Sequence, residues 1–309
     1  MMPSRVTVVE VGPRDGLQNE AARIATADKI AFVDLLSKTG LPVIETGAFV
    51  SPKWVPQMAD SSEVFAGIER RPGARYTALV PNLAGLERAH RAGVSEIAVF
   101  AAASESFSQK NINQSIDASL DTYRAVSMRA IELGLRVRGY VSTAFGCPFE
   151  GAIAPSRVAS VAAALVGMGA FEVAVSDTIG IAHPGQVRPV VEAVAERIPL
   201  SQIALHFHDT RGTALANVLT ALQIGIATFD AACGGLGGCP YAPGATGNLA
   251  TEDLIYMLEG LGIQTGVDLS ALVDASRFIE PRVGHRMPSR YYHASLGARG
   301  SGLGARSPR

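Results

Sequence analysis

VTVVEVGPRDGLQN, residues 6–19, is the stretch on which the fold turns. The β-branched run up to Val11 reads as a strand, and the turn that follows, GPRDGLQN (12–19), lacks the G-x-G-x-x-G that opens a dinucleotide-binding doubly wound sheet. A closed barrel is then the better expectation, provided the rest of the chain supplies enough strands. Working outward, it does. ATADKIAFVDLLSKTG (25–40) reads as a helix starting near Thr26 and stopped by Gly40. LPVIETG (41–47) leads through a Pro-rich loop to SSEVFAGIER (61–70), and ARYTALVP (74–81) to NLAGLERAHRAG (82–93). VSEIAVFA (94–101) is followed by a long polar loop and then SLDTYRAVSMRAIELG (119–134). LRVRGYVST (135–143) pairs with PSRVASVAAALVGMG (155–169). AFEVAVSDT (170–178) pairs with PGQVRPVVEAVAERI (184–198), where Pro189 predicts a kink or a late start. SQIALHFHDT (201–210) pairs with GTALANVLTALQIG (212–225), and ATFDAACGG (227–235) runs through a glycine loop to ATEDLIYMLEGLG (250–262).

Eight strand–helix pairs without a competing module predict parallel strands joined by right-handed crossovers. About 250 residues is the usual size of such a closed barrel. The expected fold is therefore α/β, a (β/α)8 TIM barrel, with residues 1–281 as a single catalytic domain that includes C-terminal helices. Residues 282–309 carry six arginines, no lysine and no acid, and end in GARGSGLGARSPR. They are expected to form a basic, Gly-rich, flexible extension.

Composition narrows the function classes. The 309 residues carry a formal net charge of -1, so nothing draws the whole chain toward nucleic acid or an acidic membrane. Three cysteines (Cys147, Cys233, Cys239) cannot build a disulfide scaffold. No apolar run reaches membrane-spanning length, and MMPSR runs directly into the first strand without space for a signal sequence. The cytoplasm is the expected compartment.

In a barrel of this kind the strand ends carry the chemistry, because the βα loops converge on one face. Unusual polar residues gather at those ends: Glu10, Arg14, Asp15 and Gln18 after the first strand, Glu45 after the second, Ser104, Glu105, Lys110 and Asn111 after the fourth, Asp177 after the sixth, His206, His208 and Asp209 after the seventh, and Cys239 and Asn248 after the eighth. In His206-Phe207-His208 the two imidazoles point the same way on a strand and can reach one metal ion; the alternative is a hydrogen-bonded pair without metal. Asp15 can supply a third ligand and Asn248 an amide oxygen, although Asn248 also suits a turn or helix cap. Carboxylate, imidazole and amide oxygen suit Mg²⁺ or Mn²⁺ better than a structural zinc site. Arg14 beside Asp15 is either a surface ion pair or a fixed cation at the mouth, where Glu45 is its natural partner. GGLGGCPYAPGATGN (234–248) can close over a ligand, with Cys239 near its centre as either a proton donor or an incidental thiol.

Several long motifs, VEVGPRDGLQNE (9–20), VIETGAFVSPKWVPQMAD (43–60), GYVSTAFGCPFEG (139–151), SDTIG (176–180), HFHDTRGTALAN (206–217) and GGLGGCPYAPGATGNLATEDLIYMLEGLGI (234–263), together closely resemble the hydroxymethylglutaryl-CoA lyases. The resemblance spans nearly all of residues 5–280. It implies a divalent-metal TIM barrel that cleaves (S)-3-hydroxy-3-methylglutaryl-CoA to acetoacetate and acetyl-CoA, in leucine degradation or ketone-body formation. It implies metal ligation by Asp15, His206, His208 and Asn248. Arg14, Asp15, Glu45, Asp177 and Cys239 would serve catalysis: Arg14 at the enolate, Glu45 and Asp177 in the polar framework, Cys239 on the closing loop. Gln18, Lys110 and Asn111 are assigned to the CoA thioester. A homodimer or higher homo-oligomer is expected, with no nucleic-acid or membrane partner. Ala48 and Ala174 stand where some relatives are expected to have Ser, and Ala21 where Lys is expected, which would soften contacts to acyl group and CoA phosphate. The alternatives are a lyase or aldolase for a related 3-hydroxyacyl-CoA and, further off, a Claisen-condensing enzyme of the isopropylmalate or homocitrate synthase type. A silent CoA-binding barrel would not keep so many costly polar groups at its mouth.

Overall fold

The computed structural model describes residues 2–238 and 247–300. Eight parallel strands, β1 (Thr7–Glu10), β2 (Val43–Ala48), β3 (Arg75–Leu79), β4 (Glu96–Ala102), β5 (Arg136–Ser142), β6 (Glu172–Asp177), β7 (Ile203–Phe207) and β8 (Thr228–Ala231), pair in sequence order, and β1 closes on β8. The helices are α1 (Thr26–Ser37), α2 (Ser61–Gly67), α3 (Leu83–Arg91), α4 (Glu105–Ile112), α5 (Ile116–Glu132), α6 (Pro155–Gly167), α7 (Pro184–Ala195), α8 (Ala214–Ile224), α9 (Thr251–Gly260), α10 (Leu269–Val283) and α11 (Arg290–Gly300). The closed (β/α)8 barrel expected from the alternation is the observed fold. Its strands are buried on both faces, which is why their sequences read as apolar runs rather than as alternations.

Three local expectations need correction. The polar stretch after β4 contains a helix, α4, because Ser104 accepts from the Phe107 amide at 3.1 Å and caps it. Pro189 neither delays nor breaks α7, which runs from Pro184 to Ala195. Pro189 is exposed in the second turn, and the carbonyl it leaves without a donor, on exposed Gly185, can be hydrated.

The third correction concerns the C-terminus. The boundary at Pro281 falls inside α10, and the described part of the segment beyond it is docked rather than frayed. Met287 and Tyr292 are 2% and 1% exposed. The Tyr292 hydroxyl donates to Glu280 at 2.7 Å, the Ser289 hydroxyl to Asp253 at 2.8 Å, and the Ser289 amide to the Gly234 carbonyl at 3.0 Å. Arginine content suggested a solvated tail, but Met287 and Tyr292 supply the apolar anchors, and acids of the body meet the polar groups. Residues 301–309 lie outside the described residues. No helix among the described residues is long and apolar enough to cross a membrane.

Candidate metal centre and active site

Directly after β1 the chain makes one tight turn of π-helix, Gly12–Gly16, which turns Arg14 and Asp15 toward the mouth. A Cβ at Gly12 would press on the Glu10 carboxylate, which would have to shift from its hydrogen bonds. Arg14 is nearly buried; its Nε donates to Glu45 at 2.6 Å and its Nη1 to Asp15 at 2.5 Å, and its guanidinium lies over the Tyr140 ring at 5.7 Å. Burial opposes its charge, but Glu45 and Asp15 outweigh that and hold the guanidinium firmly protonated. The pair is thus a feature of the mouth and not a surface ion pair.

Asp15, His206 and His208 form the one group of three metal-competent side chains among the described residues. The two Nε2 atoms lie 3.1 Å apart, and Asp15 Oδ2 is 3.9 Å from His206 and 3.8 Å from His208. A point roughly 2.1 Å from all three atoms exists within that triangle, the bond length at which small divalent ions are held. Burial would raise the Asp15 carboxyl, but Arg14 and the two imidazoles prevail and hold it well below the usual range. Burial, aided by His206, pulls His208 down to about 4, so this imidazole is neutral and able to ligate at ordinary pH.

Asn248 lies against this group. An isolated antiparallel bridge pairs it with His208, and its Nδ2 donates to Asp15 Oδ2 and to the Leu236 carbonyl, both at 3.0 Å. That leaves Asn248 Oδ1 buried and without a partner, as are Glu45 Oε1 and His208 Nδ1. Buried polar atoms are rarely left unpaired unless a ligand or water completes them. Two imidazoles, a carboxylate and an orphaned amide oxygen fit a hard divalent cation.

The other expected residues are placed less centrally. Asp177 accepts from the Ile181 and Ala182 amides, both at 3.0 Å, so it shapes the loop after β6; burial raises it to about 6. Ser104 caps α4 and Asp209 accepts from the Ala214 amide at the start of α8. Gln18 is half-buried, with Oε1 unpaired. Lys110 and Asn111 are exposed on α4, the Lys110 ammonium 3.8 Å from the Phe149 ring centre. Ala48 and Ala174 are fully packed. Cys239 lies outside the described residues. Sequence reading passed over Arg138, Tyr140 and Asp230, whose polar side chains lie in the barrel interior just below the histidines. The available signal was a charge within an apolar strand: Asp230 in ATFDAA and Arg138 in RVRGY.

A closed parallel barrel with acid, base and metal-competent groups at the C-terminal ends of its strands is the architecture of barrel enzymes that work at the mouth. The sequence matches the HMGL-like family model over residues 5–279, and the chain belongs to that family. It is 56% identical over 295 residues to a Pseudomonas aeruginosa protein named 3-hydroxy-3-isohexenylglutaryl-CoA/hydroxy-methylglutaryl-CoA lyase, covering 96% of this chain and 98% of that one. It is 52% identical to the human mitochondrial hydroxymethylglutaryl-CoA lyase, covering 95% of this chain and 90% of that one. The structure aligns with a crystal structure of hydroxymethylglutaryl-CoA lyase from Pseudomonas aeruginosa at a TM-score of 0.94 and 56% identity, over 96% of this chain and 99% of the other. It also aligns, at a TM-score of 0.90 and 42% identity, over 94% and 95% of the two chains, with an HMG-CoA lyase from Acinetobacter baumannii in complex with coenzyme A and 3-methylmalate.

Proposed function

We propose that this chain is a hydroxymethylglutaryl-CoA lyase, a carbon–carbon lyase that splits 3-hydroxy-3-methylglutaryl-CoA into acetoacetate and acetyl-CoA. The observation that carries the residue assignment is the joining of Arg14, held cationic by Glu45, to the Asp15–His206–His208 cluster with an orphaned Asn248 oxygen beside it. The reaction removes the proton from the C3 hydroxyl while the C2–C3 bond breaks. The hydroxyl oxygen becomes the ketone of acetoacetate, and the bond pair moves onto C2 as the thioester enolate. Asp15, kept anionic by its neighbours, is the nearest acceptor for the hydroxyl proton, directly or through a water. Arg14 offers a fixed guanidinium to the enolate oxygen, where charge appears only as the bond breaks. Cys239 then delivers a proton to C2, completing acetyl-CoA.

Asp15, His206, His208 and Asn248 would hold a divalent cation, Mg²⁺ or Mn²⁺, which when bound supplies charge neutralisation and orientation for the substrate oxygens. Gln18, Lys110 and Asn111 would contact the CoA portion. One relative's name includes the isohexenyl homologue, which favours a second reading in which larger groups at C3 are also accepted. That relative's name carries both acyl groups, so the two readings are not exclusive. The test is to incubate the purified protein with Mg²⁺ or Mn²⁺ and each thioester, and to measure the released keto acid and acetyl-CoA. Release from neither overturns the proposal; release only from the longer homologue replaces it with the second reading.

A further inference from the structure

One layer below the mouth the barrel interior is charged rather than apolar. Arg138 on β5 is 4% exposed, and its Nη2 and Nη1 donate to Asp230 Oδ1 and Oδ2 at 2.7 and 3.2 Å. Its Nε donates to Glu172 at 2.8 Å and its Nη1 also to the Tyr140 hydroxyl at 2.9 Å. Asp230 Oδ2 lies 3.2 Å from His206 Nδ1. Strand register sets this up: His206 pairs with Asp230 across β7 and β8, and Arg138 with Glu172 across β5 and β6. The Tyr140 ring meets His206 edge-on at 6.3 Å and limits its tilt. Of the hydrogen-bond partners of Asp230, His206 is the one that belongs to the metal-competent group.

A neutral imidazole has one ring proton, and its partners decide which nitrogen carries it. Asp230, facing a guanidinium, acts as an acceptor only, so the proton sits on His206 Nδ1. The Nε2 lone pair then faces His208 and Asp15. We propose that Asp230, anchored by Arg138, is a positioning residue that fixes His206 as the Nδ1–H tautomer and so reserves its Nε2 for the metal. This inference rests on the metal reading above. Carboxylate partners of this kind orient ligating histidines and strengthen them as donors. The competing account is a buried ion pair that only stabilises the barrel.

Asp230→Asn separates the two. Arg138 donates to Oδ1 at 2.7 Å and to Oδ2 at 3.2 Å, so the amide oxygen is expected to keep the shorter contact and Nδ2 to face His206, with the longer Arg138 contact given up. An N–H donor there forces the ring proton to Nε2, where it blocks ligation. In the full-length chain, Mn²⁺ binding is measured by titration calorimetry, and histidine nitrogen NMR is recorded on the metal-free protein in the alkaline range where imidazoles are neutral. The unsubstituted chain is expected to show His206 protonated at Nδ1. D230N should keep the circular dichroism spectrum, shift that proton to Nε2 and bind Mn²⁺ about 10- to 100-fold more weakly. Adding Arg138→Met frees the amide to turn its oxygen to Nδ1–H, so the double variant should recover part of the lost affinity. A purely structural pair predicts the opposite order, with the double variant binding no better than D230N and the ring proton unmoved. If the unsubstituted protein carries the proton on Nε2, the inference fails whatever the variants do. If it binds no Mn²⁺ at all, the metal reading fails instead, while the nitrogen spectra still decide the tautomer.

Discussion

Two buried clusters of acids lie on either side of the β1 and β8 ends, and they are built differently. At the mouth, Asp15 and Glu45 meet a guanidinium and imidazoles, and acceptor atoms of Glu45 and Asn248 are left unpaired. Behind it, Glu10 and Glu252 meet only neutral donors. Glu10 accepts from the Gly12 and Cys233 amides, both at 2.8 Å, and from the Thr251 hydroxyl at 2.7 Å. Glu252 accepts from the Gly234 amide at 3.0 and 2.9 Å and shares a short hydrogen bond with Ser276, whose oxygen lies 3.0 Å from Cys233 Sγ. Every acceptor there is used. The difference teaches how to tell a working site from a brace: both bury carboxylates, but only the mouth balances charge with charge and leaves acceptors open for a ligand. The rear cluster ties the turn that carries Arg14 and Asp15 to the root of the glycine loop.

The most demanding test of this contrast is on the loop itself. Cys239→Ser should slow turnover by ~10² to 10⁴ with fold and metal binding unchanged, the span of a positioned proton donor. Cys147→Ser and Cys233→Ala serve as controls: both thiols are buried in packing and hydrogen bonds, so each folded variant should keep most of its activity. Near wild-type turnover in Cys239→Ser would leave the proton to another group. Arg14→Gln should come next, costing ~10² to 10³ in kcat while KM for the thioester moves little, because the guanidinium meets charge that develops only in the transition state. Weak binding with a normal kcat would make Arg14 a substrate anchor.

Smaller effects are expected behind the site. Tyr292→Ala removes an anchor of the C-terminal segment against Glu280 and should lower unfolding free energy by about 3 kcal/mol, read from denaturant titration. No change in stability would return this segment to the frayed tail that its arginines suggested. The mildest test is Glu252→Gln. Burial raises Glu252 from 4.5 to about 8 and Glu10 to about 7. Between pH 4.5 and about 8 the folded chain therefore keeps a Glu252 proton that the unfolded chain has released. Stability from this group is present in full below that window and falls as pH rises through it. Glutamine mimics the protonated acid, so the variant should flatten that decline, followed by thermal unfolding across pH, and should keep kcat within a few-fold. A large loss of kcat at unchanged stability would make the rear cluster part of the site and erase the contrast.

The sequence by itself determined the barrel, because eight apolar β-branched runs alternating with eight Ala/Leu-rich helices have few other ways to bury their faces. It also exposed Arg14, Asp15, His206 and His208, since polar residues at the ends of apolar strands break a local pattern that can be read without knowing neighbours. Their contacts are another matter. Asp15 is 233 residues from Asn248, and Arg138 is 92 from Asp230. Only closure of β1 on β8 brings the first pair together, and only inward projection from β5 and β8 at one level brings the second. The C-terminal segment was misread for the same reason: charge composition is a local property, whereas the gap that Met287 and Tyr292 fill, beside Gly234 and Glu280, exists only once the β8 loop and α10 have come together. Strand identity is set by local burial, but the partner of each buried charge is set by register and ring closure, which no single stretch of sequence contains.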